Sequence, residues 1–98
     1  MAQISYAGQA LADLERISDY LAEDKDALAV LDLIDEAVAI LARHPFIGRQ
    51  VEDGLRELVI SQGRTGYVAL YSVEMEYDAI LVLAVRHQRE AGWNVPTF

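Results

Sequence analysis

The chain has 98 residues and a formal net charge of −8, from 16 acidic and 8 basic side chains. That length supports one domain, 1–98, with a single core, and a hydrophobic fraction of 53% excludes a disordered chain. There are no cysteines, which excludes disulfides, thiolate metal sites and thiol nucleophiles, and no apolar run approaches the roughly 20 residues of a membrane span.

The first stretch, MAQISYAGQALADLER, has neither the basic start nor the apolar core of a signal peptide, so a cytoplasmic setting without membrane contact is expected. Residues 2–6, AQISY, alternate and predict a short edge strand. From residue 8 the period lengthens. Leu11, Leu14, Ile17 and Leu21 recur at three and four residues, which predicts an amphipathic helix with Asp13, Glu15, Asp19 and Glu23 largely on its other side. Lys25 and Asp26 read as a break, with Asp26 as the N-cap of a second helix over 27–43. Its apolar stripe is Val30, Leu33, Ile34, Ala37, Val38 and Leu41, and its alanines allow close packing on the first helix. His44-Pro45 stops it, because the residue before a proline is driven out of the helical region. FIGRQVEDG, 46–54, reads as a loop punctuated by Gly48 and Gly54.

Beyond residue 55 the pattern is β. LRELVIS (55–61) and YVALYSVE (67–74) read as strands around the turn SQGRTG (61–66), and MEYD (75–78) leads to AILVLAV (79–85), apolar on both faces. Alternation puts Leu81, Leu83 and Val85 on one face of that strand, and Ile80, Val82, Ala84 and Arg86 on the other. The order β-α-α-β-β-β predicts an α+β fold, with two antiparallel helices packed on one face of a small antiparallel sheet and the first strand at an edge. Two helices cover one face only, which leaves the other apolar side of the last strand either under water or under a partner chain, and an apolar patch of that size is more often an interface.

Residues 1–42 carry nine acids and two bases, whereas residues 43–98 carry seven acids and six bases, all arginine. An acidic chain has no general attraction for phosphate, so no direct sequence-specific nucleic-acid binding is expected, and any grip on an anion falls to a local arginine cluster. The candidate binding residues are Arg56, Arg64, Arg86, His87, Arg89 and Trp93. Arg56, Arg86 and His87 are expected to converge at one end of the sheet, with Arg64 at the other. Alternatively, each arginine is a solvated strand end or pairs with an acid such as Glu57 or Glu90. His87 is a candidate general base by its intrinsic pKa, with Arg86 and Arg89 as the cations of a nuclease site, and a structural role for the same histidine stands beside that reading. No metal-ligand spacing and no glycine-rich phosphate loop are present, so neither a metal nor a cofactor is expected. Tyr67 and Tyr71 share parity with Ala69 and Val73 and are expected in the core. Trp93 either folds back over the sheet or meets a partner.

ALADLERISDYLAED (10–24), HPFIGR (44–49), LRELVI, GYVALYSV and ILVLAVRHQRE, in this order and spacing, resemble toxins of the RelE/ParE superfamily from bacterial type II toxin–antitoxin operons. The resemblance spans about residues 3–93 and implies the fold just described. RelE-type members are ribonucleases that cut messenger RNA in the ribosome. Their site uses lysines on the first meander strand, an arginine on the second, and an arginine and tyrosine after the last. Here Glu57 and Val59 stand on the first strand, Val68 follows Tyr67 on the second, and Arg89 and Trp93 echo the last pair at altered spacing. That branch would imply His87, Arg89 and Trp93 as catalytic residues. ParE-type members share the fold without the ribonuclease residues and poison DNA gyrase by binding. HPFIGR, LREL and RHQRE look more like this branch. It implies a growth-arresting, plasmid-stabilising toxin with no catalytic residues and no cofactor, neutralised by a cognate antitoxin in a hetero-oligomeric complex. The antitoxin tail would fold over the helix pair and the open sheet face, with Arg56, Arg86 and Arg89 fixing its register. Toxins of this kind are usually basic and their antitoxins acidic, so in this acidic chain apolar burial is expected to dominate that contact.

Overall fold

The computed structural model describes residues 1–20, 27–62 and 65–88. Its elements are β1 (Gln3–Tyr6), α1 (Gly8–Tyr20), α2 (Ala27–Ala39), β2 (Arg49–Gln50), β3 (Arg56–Gln62), β4 (Thr65–Glu74) and β5 (Ala79–His87). They form two helices on one five-stranded sheet of order β1-β5-β4-β3-β2. The β2–β3, β3–β4 and β4–β5 pairs are antiparallel, as expected of a meander. β1 sits at the edge as expected but runs parallel to β5, Gln3 beside Ala79 through Tyr6 beside Val82, so the sheet is mixed. The chain path explains this. α2 brings the chain back until the Ala42 carbonyl accepts the Ala2 amide (3.0 Å), beside the start of β1. β3 therefore sets out from the end where β1 began, and two hairpin reversals leave β5 in the same direction. β2, inside the expected loop, is two residues long and too short to show a period.

α1 does not bury the stripe that its leucines suggest. Its buried residues are Ala10, Asp13 and Ile17, with Leu14 half-buried at the margin and Leu11 55% exposed. Asp13, expected toward solvent, is only 7% exposed. β1 is the reason. It ends at Tyr6, opposite Val82, so the next stretch of β5 has no strand on that side. Asp13 Oδ2 accepts the Val85 amide in its place (2.9 Å), and Oδ1 accepts from Gln9 Nε2 (2.9 Å). A buried amide must find an acceptor, and the helix supplies one. α2 follows its periodicity: Val30, Ile34, Val38 and then Leu41 enter the core, with Leu33 and Ala37 beside them. It tightens into a 3-10 turn at Ile40–Ala42, where the Ile40 carbonyl accepts from both Arg43 (3.1 Å) and His44 (3.0 Å) before Pro45 ends it. Leu21, Lys25 and Asp26 lie outside the described residues.

β5 breaks its own alternation. Leu70 pairs with Ala84, but the next residue, Tyr71, pairs with Val82, so Leu83 is an extra residue in β5. After this bulge the faces exchange. Ile80, Val82 and Val85 join Tyr67, Ala69 and Tyr71 in the core under the helices. Leu81, Leu83, Ala84 and Arg86 take the outer face, which corrects the assignment of Ala84, Val85 and Arg86 by strict alternation. The outer face is also less open than a two-helix count suggests. Val68, Leu70 and Ala84 are buried there, Leu81 and Leu83 are half-buried, and Val59 is exposed.

Candidate functional site

Arg56 and the Arg86–His87 pair do not converge. β3 and β5 run in the same direction, so the start of one and the end of the other lie at opposite ends of the sheet. Arg56 pairs with Tyr71, whereas His87 pairs with Tyr67, which pairs with Ile60. Four residues of β3 thus separate the two levels, on the order of 13 Å along the strand. Arg64, Arg89, Glu90 and Trp93 lie outside the described residues.

At the far end of β5, His87 continues the helix-side face, half-buried. Its ring meets Tyr67 edge to face, with centroids 5.3 Å apart at 82°. Arg86 faces the other way beside Val68, and its Nη1 donates to the carbonyls of His87 (3.2 Å) and Gln88 (3.4 Å). Tyr67 and Tyr71 are both buried, as their parity predicts, while Tyr77 is exposed.

At the other end, Arg56 is a clasp for the loop before β2. Its Nη1 donates to the carbonyls of Gly48 (2.8 Å) and Phe46 (3.2 Å), and its guanidinium lies 5.1 Å from the Phe46 ring centroid. Tyr71, fully buried, completes the clasp from β4: its hydroxyl accepts the Gly48 amide (2.9 Å) and donates to the Pro45 carbonyl (2.8 Å). Burial pushes the Tyr71 hydroxyl above its ordinary pKa, against the lowering pull of the Gly48 amide and the Arg56 charge. Gly48 is required by this close approach, since a Cβ there would stand 2.5 Å from the Tyr71 hydroxyl and 2.8 Å from the Glu57 carbonyl oxygen. Next to the clasp, Glu57 is buried on the outer face and ion-paired with Arg49. Sequence reading singled out neither Arg49 nor Tyr71 for this role. Gly48 was visible only as loop punctuation, because the hydroxyl it accommodates is 23 residues away.

A third surface lies between the helices. It is a groove of about 500 Å³ with Leu11, Leu14 and Leu31 in its wall and Glu15, Asp32 and Asp35 at its rim. Tyr6 reaches Asp35 across it, hydroxyl to Oδ1, at 3.3 Å. Burial, then the Asp35 charge and hydrogen bond, push the Tyr6 pKa up to about 12. Among the described residues, no three His, Asp or Glu side chains stand together as metal ligands. No described helix is long and apolar enough to cross a membrane.

A helix pair on one face of a mixed sheet, with a parallel N-terminal edge strand, puts the chain among the two-layer α+β proteins. Comparison with known proteins narrows that class. Residues 4–92 match the profile of the ParE toxin of the type II toxin–antitoxin system parDE. The curated toxin RelE3 of Caulobacter vibrioides is 32% identical over 92 residues, spanning 92% of this chain and 98% of that toxin. Among solved structures, the chromosomal ParDE toxin–antitoxin system of P. aeruginosa aligns with TM-score 0.70 and 26% identity, over 87% of this chain and 94% of the matched one. The isolated E. coli RelE toxin shares the fold, with TM-score 0.67 and 14% identity over 93% and 88% of the two chains. The chain belongs to the ParE toxin family, and with it to the RelE/ParE superfamily of type II toxin–antitoxin toxins.

Proposed function

We propose that this chain is a ParE-like toxin that acts by binding rather than by cutting, with DNA gyrase as its cytoplasmic target and a cognate antitoxin as its neutralising partner. The observation that carries this reading is the outer face of β3. Where RelE-type toxins carry lysines, this chain has Glu57, buried and ion-paired with Arg49, and then Val59. Across on β4, Val68 is buried where an arginine would stand. None of these three positions offers a cation to the negative charge that develops on a phosphate under attack, and Arg86, the cation beside Val68, turns its Nη1 to the carbonyls of His87 and Gln88. The antitoxin partner is supported by similarity to the P. aeruginosa ParDE system and to the E. coli RelBE toxin–antitoxin complex. Arg86 and His87, at the end of β5, remain binding candidates. Arg64, Arg89 and Trp93 remain candidates from the sequence alone. Arg56, at the opposite end of the sheet, contributes only through the loop it holds.

The test is gyrase supercoiling with purified protein. Supercoiling should stop on adding the chain and resume on adding the antitoxin encoded beside it. The opposing reading, a ribosome-dependent ribonuclease using His87, Arg89 and Trp93, wins if supercoiling is untouched, messenger RNA is lost on induction, and His87→Ala restores growth.

A further inference from the structure

Residues 43–51, RHPFIGRQV, hold two arginines and a histidine and no acid, directly after 42 residues with nine acids. Arg43, His44, Phe46, Ile47 and Arg49 are all exposed, Phe46 at 52% and Ile47 at 59%. Single exposed apolar side chains are ordinary on a protein surface. Here two large ones are adjacent, between cations, on a loop whose backbone is held from two strands. Tyr71 and Arg56 together bond the carbonyls of Pro45, Phe46 and Gly48 and the amide of Gly48. A loop ordered in this way has already lost its conformational freedom on folding, so docking onto it needs little further ordering.

We propose that the 43–49 loop is a preformed docking surface for a segment of the target protein that carries carboxylates around an apolar side chain. The proposal rests on the binding-module reading above and says which surface makes the inhibitory contact. Phe46 and Ile47 supply the apolar centre. Arg43 and Arg49 supply the flanking charge, and the Arg49 side chain stays 74% exposed even in its pair with Glu57. The acidic remainder of the molecule repels the same segment elsewhere, which fixes where it lands. Nucleic acid fits poorly, because the centre is apolar and the net charge is −8. The interhelical groove, rimmed by Glu15, Asp32 and Asp35, has the opposite sign and suits a partner segment of opposite charge. The two surfaces therefore serve different contacts.

The experiment expresses three chains without antitoxin: wild type, Phe46→Ser/Ile47→Ser, and Arg43→Glu. All three altered side chains are exposed and the backbone bonds of the clasp stay in place, so the urea midpoint should fall only slightly, through loss of the Phe46 ring beside Arg56 in one variant and of an exposed Arg43–Met1 contact in the other. The wild type should arrest growth. Each variant should need about tenfold more induction to do so, as when an interface anchor is truncated. Each should still bind the antitoxin encoded beside it with wild-type affinity. Variants that arrest growth like the wild type overturn the proposal, as does a parallel loss of antitoxin binding, which would make the loop the seat of the antitoxin. A wild-type chain that leaves growth unaffected overturns the inhibitory reading itself, and the target contact falls with it.

Discussion

A carboxylate buried under a helix looks misplaced until its partner is found. Asp13 accepts the Val85 amide on the side of β5 that β1 is too short to reach. Helical periodicity ranks aspartate as polar and assigns it to solvent. It has no means of representing an unpaired amide 72 residues further along the chain. The geometry makes a direct prediction. Asp13→Ala strands a buried N–H and should lower stability by about 1–3 kcal/mol, whereas Asp13→Asn keeps an acceptor oxygen and should lower it much less. Urea denaturation of the two variants decides: equal midpoints would show that the amide does not depend on residue 13. Gly48 teaches the same lesson from a smaller residue. Its identity reports the nearness of the Tyr71 hydroxyl, and nothing in the local pattern of loop residues encodes that distance.

Among the elements, α2 was the most legible. Its apolar residues recur on one stripe and that stripe is buried, so period and packing agree. β5 was legible as a strand but not in its facing, because one bulge at Leu83 exchanges the sides of every later residue. That exchange sends Arg86 outward and His87 onto Tyr67. β1 depends on its neighbours in another way. Besides pairing with β5, it reaches α2 through the Tyr6 hydroxyl and Asp35. Folding raises the Tyr6 pKa from 10.0 to about 12, so the folded chain holds this proton more tightly than the unfolded chain. The stability from this group is complete below pH 10 and is lost as pH rises toward 12. Tyr71, also raised, acts in the same direction. Urea midpoints should therefore fall as pH rises above 10, with a shallower fall in Tyr6→Phe. A variant that falls as steeply as the wild type would remove Tyr6 from the account.

Across the whole molecule, charge is divided by region. The first 42 residues hold nine of the 16 acids and two of the 8 bases, while the six remaining bases are arginines spread from 43 to 89. The helices gather much of this negative charge on one layer, and like charges on a compact surface repel. Salt should relieve that strain. Raising ionic strength from about 0.01 M to about 0.15 M shortens the screening length from about 30 Å to about 8 Å, and the urea midpoint should rise. A midpoint that falls instead would mean that attractive pairs such as Arg49–Glu57 outweigh the repulsion.

Apart from the two-residue β2, the element types, their order and the family resemblance were present in the amino-acid string, because hydrophobic period and turn chemistry act over a few residues and need no knowledge of what lies opposite. The parallel setting of β1, the exchange of faces in β5, the burial of Asp13 and the separation of Arg56 from Arg86 and His87 were decided only when the strands met. Each depends on which backbone groups are left to pair after the neighbouring strand has ended or slipped by one residue, and that is a property of the assembled sheet.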